Sequence, residues 1–109
     1  MVALLQRPVN NQSGPYWIQD YKTAVKWYRL AAEQGNASAE FNLGLMYDNG
    51  KGVLQDYVRV HMWFNIAASS GDKVASKNRD IVAKRMTPPQ LSEAQKLARE
   101  CVATNYKGC

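Results

Sequence analysis

The stretch AVKWYRLAAEQG, residues 24–35, returns 36 positions later as VHMWFNIAASSG, residues 60–71. Carried outward without gaps, residues 14–39 align on residues 50–75 with nine identities in 26 positions. Ordinary composition gives about two by chance. The kept pairs are Gly14/Gly50, Gln19/Gln55, Asp20/Asp56, Tyr21/Tyr57, Trp27/Trp63, Ala31/Ala67, Ala32/Ala68, Gly35/Gly71 and Ala39/Ala75. Tyr28/Phe64 and Leu30/Ile66 are conservative exchanges.

Each kept position has a mechanical use. Asp20 and Asp56 are suited to N-cap a helix by accepting bonds from its first free amides. Ala24, Trp27, Tyr28, Ala31 and Ala32 then fall on one helical face, and Val60, Trp63, Phe64, Ala67 and Ala68 repeat it. Paired alanines admit a neighbouring helix closely while the large ring fills the space beside it. Gly35 and Gly71 suit the left-handed position after a helix, and Asn36 and Asp72 can cap the next helix at once. The unit is a helical hairpin.

Between the copies, Ala39, Leu43, Leu45, Met46 and Tyr47 supply the apolar side of a second helix. Gly44 inside it costs about 0.5–1 kcal/mol relative to alanine, which a close helix crossing would offset. Asn49-Gly50-Lys51-Gly52 reads as a turn. Its spacing is wrong for a phosphate loop, and no Ser or Thr follows the lysine.

The pattern A-x3-L-G-x2-Y-x2-G-x-G-V-x2-D-Y-x5-W-F-x2-A-A-x2-G-x3-A, residues 39–75, resembles the Sel-one-like repeat (SLR) family. These repeats are relatives of the tetratricopeptide repeats, which run at about 34 residues and lack the Gly-x-Gly-Val loop. The resemblance covers about residues 19–103, with Val60 standing where alanine is usual. It implies an all-α, right-handed solenoid whose concave face meets another protein or peptide. It further implies a scaffold without catalysis or cofactor.

The two ends differ. Shifting the repeat back places Arg7 at the Leu43 position and Pro8 at the Gly44 position, where proline would break a helix. Asn10, Asn11, Ser13, Gly14 and Pro15 read as loop, so residues 1–19 are expected to be an irregular segment before a repeat domain at 20–109. The chain then reads as the closing part of a longer array. At the other end, Val74, Ala75, Asn78, Ile81 and Val82 mark a helix, and Thr87-Pro88-Pro89-Gln90 reads as a capping box that starts another. Leu91, Ala94, Leu97, Ala98, Cys101 and Val102 give this last helix, residues 88–105, an apolar face that closes the stack. The segment MTPPQLSEAQKLARE resembles the closing part of many bacterial SLR proteins.

Cys101 and Cys109 resemble the C-x7-C pair of cysteine-rich secreted SLR proteins, and Asn105 and Gly108 are available to turn the chain back. A bridge would contribute about 2–3 kcal/mol and would favour the periplasm or the exterior. The other reading makes Cys101 a small core residue and Cys109 a terminal thiol. The start, MVALLQRPVNN, has too short an apolar run for a secretory signal, so the chain as it stands reads as soluble and without an export address.

The formal charge of +5 falls entirely after residue 72: residues 1–72 hold six basic and six acidic side chains, residues 73–109 eight and three. Ten of the eleven aromatics precede residue 65, leaving only Tyr106 among the basic groups. Single-strand binders interleave the two, so nucleic acid ranks third among the readings. Second stands a cell-envelope hydrolase or penicillin-binding protein, because Ser70-Gly71-Asp72-Lys73 matches S-x-x-K. Its serine and lysine straddle a turn, however, and the companion motifs are absent. His61, the only histidine, has no partner placed for catalysis, and with two thiols it falls short of a zinc site.

Five helices are therefore expected, near 20–34, 37–48, 56–70, 73–86 and 88–105. Their core should hold Trp27, Tyr28, Leu43, Tyr47, Trp63, Phe64 and the paired alanines. Burial of both indoles is the condition on which the stacked-hairpin reading rests. Asn42, Met46 and Asn78 are the expected partner-binding residues; no metal site and no membrane span are expected.

Overall fold

The computed structural model describes the backbone of residues 14–109 and the side chains from residue 20 onward. The readings of Arg7, Pro8 and the first thirteen positions lie outside the described residues. Five helices follow one another: α1 (Gly14–Ala32), α2 (Ala37–Asn49), α3 (Tyr57–Ser69), α4 (Lys73–Ala83) and α5 (Pro88–Ala103). No strand occurs among the described residues.

The helix starts follow from capping chemistry. Asn36 Oδ1 accepts from the Ala39 amide at 2.9 Å, and Asp72 Oδ1 from the Ala75 amide at 3.0 Å. Asp56 Oδ1 accepts from the amides of Val58 and Arg59 at 3.0 and 3.3 Å. Thr87 and Gln90 form the reciprocal capping box, at 2.9 and 3.3 Å, with proline in the first turn of α5. Asp20 departs from its expected role. The first helix begins at Gly14, so Asp20 lies within it. Pro15 stands in that first turn, where a missing amide hydrogen costs nothing, and the loop reading of Gly14 and Pro15 is corrected accordingly.

Helix α3 is the spine. It packs on α2, α4 and α5, while α1 packs chiefly on α2. Val60, His61, Met62, Trp63, Phe64, Ile66 and Ala67 are all buried, so α3 is covered nearly all round. The alternation leaves α1, α3 and α5 as one row and α2 and α4 as the other. This is an all-α solenoid.

Gly44 lies where α2 crosses α3. A β-carbon there would overlap Cε1 and Cδ1 of Phe64, whose ring is stacked on Phe41 at 5.4 Å between centroids. Gly52 serves the loop. Its φ of 75° is left-handed, and a β-carbon would stand 2.6 Å from the Tyr21 carbonyl oxygen, so the α2–α3 loop lies directly against the α1 backbone. The amides of Gly50 and Lys51 are both spent on the Met46 carbonyl and are not available to an anion.

The core holds Leu43, Tyr47, Trp63 and Phe64, with Ala32 and Ala67 of the alanine pairs. Trp27 is the correction: its side chain is 64% exposed, whereas its repeat mate Trp63 is 1% exposed. Trp63 shares its surroundings with Arg29 of α1 and Tyr47 of α2, the preceding repeat. No described helix takes the corresponding place beside Trp27. The condition that both indoles be buried therefore fails at Trp27, in the first described helix, and holds at Trp63 in α3. Tyr28 is half-buried. Val74, Ile81 and Val102, expected on apolar faces, are also exposed, since α4 buries a narrower stripe through Ala75 and Val82, and α5 one through Ala94, Ala98 and Cys101.

Candidate functional site

The sequence-chosen contact residues belong to the α2–α4 row. Asn42 is half-buried, and its Nδ2 donates to the Ser38 carbonyl at 2.9 Å, one turn back in the same helix. Met46 is half-buried against the core. Asn78 is half-buried on α4. The three share a row, and none of them lines either of the two cavities described next.

A cavity of about 390 Å³ opens instead on the α1–α3 side, beneath the C-terminal tail. Its polar wall comprises Arg29 and Glu33 from α1, Tyr47 from α2, Arg59 and Trp63 from α3, and Tyr106 from the tail. The Asp56 cap sets the first turn of α3 and with it the direction of Arg59, and Trp63 follows one turn later on the same face. Arg29 Nη2 donates to Tyr47 Oη at 2.6 Å, and its guanidinium lies 6.0 Å from the centroid of that ring. Arg59 has neither an ion pair nor a side-chain hydrogen bond among the described residues, whose one salt bridge is Arg79–Asp80. Trp63 Nε1 is buried without an acceptor.

The tail that roofs this cavity is shaped by chemistry the repeat does not contain. Cys101 and Cys109 are joined in a disulfide with Cα atoms 5.7 Å apart, and no cysteine is free. Asn105 and Tyr106 both adopt left-handed backbone, at φ 57° and 66°. The Tyr106 amide returns to the Cys101 carbonyl at 2.8 Å. Its ring then lies over Gly35 at the end of α1. The Thr104 hydroxyl stands 3.1 and 3.0 Å from the carbonyls of Cys101 and Lys107. A second cavity of about 220 Å³ continues past Arg59 toward Leu97, Glu100 and Lys107.

The two buried ionisable groups lie elsewhere. Glu40 is fully buried, and neither carboxylate oxygen accepts a hydrogen bond. Burial pushes its pKa up; the Ser70 hydroxyl lies near enough to oppose this but makes no hydrogen bond with it. His61 is 4% exposed and its Nδ1 is unpartnered. Burial holds its pKa down, assisted by Arg79 and opposed by Asp80. Ser70 caps the end of α3 and Lys73 opens α4, with Asp72 capping between them, so the S-x-x-K residues sit on different helices. The basic residues Lys84, Arg85, Lys96, Arg99 and Lys107 are exposed. Among the described residues no cluster of His, Cys, Asp and Glu could hold a metal ion, and no helix is long and apolar enough to cross a membrane.

Sequence reasoning did not find the Arg29–Arg59–Trp63 wall. Its one available signal was Arg59, a charge four residues before Trp63 on an aromatic helix face where the first copy has Thr23.

Comparison with known proteins points one way. The model of the Sel1 repeat matches residues 14–36 and 37–72, and the second segment has the length of the 36-residue period. A solved structure, that of a protective antigen present in uropathogenic Escherichia coli strains and displaying an SLR fold, is 33% identical with a TM-score of 0.74. The match covers 81% of this chain and 20% of that one, so the chain spans about a fifth of the antigen's length. No curated protein sequence matches.

Proposed function

Because this chain belongs to the Sel1 repeat family, we propose that it acts as a non-catalytic adaptor, holding a protein or peptide partner against its stacked hairpins. The observation that carries this reading is the arrangement of α3, sealed by three neighbouring helices so that the stack behaves as one rigid platform with two long faces. A rigid surface binds without a large ordering cost.

Partner contact is assigned to the α2–α4 face at Asn42, Met46 and Asn78. Asn42 and Asn78 are 36 positions apart and thus repeat one amide along the face. The Cys101–Cys109 bridge suits an oxidising compartment such as the bacterial periplasm or exterior. The test is a pull-down from the source cell, followed by reconstitution with the purified partner, comparing wild type with Asn42→Ala/Met46→Ala. Loss of retention by the double variant, with an unchanged melting temperature, supports the reading. Equal retention places the contact elsewhere, and turnover of the captured partner by the chain itself would refute the adaptor role.

A further inference from the structure

The cavity between α1, α3 and the tail is lined by side chains with hydrogen-bond donors to spare. Trp63 Nε1–H is buried and unpartnered, a rare state for a buried donor. Arg59 is half-buried with no counter-ion among the described residues. Tyr47, 8% exposed, accepts from Arg29 through its oxygen and so keeps its own hydroxyl hydrogen to give. Arg29 is held in place by that bond while its remaining N–H groups stay available. All four side chains line one cavity of about 390 Å³.

We infer that this cavity is a carboxylate-recognition site, independent of the α2–α4 contact face, that seats a single acidic group of a peptide. A guanidinium matches a carboxylate with two parallel bonds, and a phenol hydrogen can take a further lone pair. Glu33 on the same wall narrows the choice. Of the ionisable side chains on this wall two are arginines and one is a glutamate, too few cations to match the closely spaced charges of a polyanion. Tyr106 and Cys109 of the tail line the same cavity, and the ligand enters it as a chain end or a side chain.

The test is a ¹H–¹⁵N titration of the intact, oxidised chain with three blocked tripeptides, watching the assigned Trp63 indole and the arginine Nε–H signals. One is acetyl-Ala-Ala-Ala with a free carboxylate, one acetyl-Ala-Asp-Ala amide, and one acetyl-Ala-Asn-Ala amide. Saturable movement of the Trp63 indole signal with either acid, and not with the asparagine peptide, is expected. The arm that binds tells a chain-terminal carboxylate from a side-chain one. Arg59→Gln should weaken that binding about tenfold or more and leave the melting temperature unchanged, since Arg59 holds no structural bond. The proposal is overturned if no acid moves the signal saturably up to about 20 mM. It is also overturned if the neutral peptide moves the signal equally, or if Arg59→Gln binds like wild type.

Discussion

Replacing Gly44 by alanine sets two effects of opposite sign against each other. In an isolated helix, the change gains about 1 kcal/mol of helix propensity. Here the new β-carbon would meet Cε1 and Cδ1 of Phe64. That ring is 2% exposed and stacked on Phe41, so it has no free space into which to turn. Overpacking of this kind costs about 1–3 kcal/mol. Because the new atom would overlap two carbons of a ring that cannot turn away, the upper half of that range applies, about 2–3 kcal/mol, and after the propensity gain the net expectation is a loss of about 1–2 kcal/mol. For a domain of this size each kcal/mol lowers the melting temperature by about 4–8 °C. Thermal unfolding followed at 222 nm should therefore show Gly44→Ala melting some 5–15 °C below wild type, taking those per-kcal shifts together. Phe64→Leu in the same background should recover part of the deficit, because the two sites couple through one contact. A Gly44→Ala chain that melts at or above the wild-type temperature would refute the close crossing of α2 on α3.

Four further outcomes are expected. Trp63→Ala should cost about 3–5 kcal/mol in urea unfolding, and Trp27→Ala less than about 0.5 kcal/mol, although the two indoles are repeat mates. Glu40 has a folded pKa above its unfolded value, so its burial destabilises the fold progressively as pH rises through the ordinary glutamate range and beyond. Glu40→Gln should therefore be the more stable chain at neutral pH, and the advantage should vanish in acid, as urea midpoints across pH will show. His61 has its folded pKa below the unfolded value, so wild type should lose stability as pH falls below about 6.5, a slope that His61→Phe flattens. Cys109→Ser should remove about 2–3 kcal/mol and raise hydrogen exchange around Tyr106 before it affects α2.

The parts of this fold legible in the sequence are those governed by neighbours in the chain. Asn36, Asp56, Asp72 and Thr87 cap helices with their own side chains, and each was readable from residue type and position. Gly44 was readable because a glycine inside a helical pattern demands a packing reason. The first helix was misjudged since Pro15 suits a first turn as well as a loop, and α1 begins there rather than at Asp20. Trp27 was misplaced for a different reason. Periodicity says which face of a helix is apolar but not whether anything lies against it. The cavity was illegible because it depends on Tyr106, which reaches Gly35 across the molecule through two non-glycine residues in left-handed backbone. No local pattern announces that turn.

The adaptor account is tested most directly by a hydrogen–deuterium exchange footprint of the intact chain with and without its reconstituted partner. Slower exchange in the α2 and α4 peptides that carry Asn42, Met46 and Asn78, with the partner left chemically unaltered, is the predicted result. Unchanged exchange in both helices, or a partner cleaved during incubation, would contradict it.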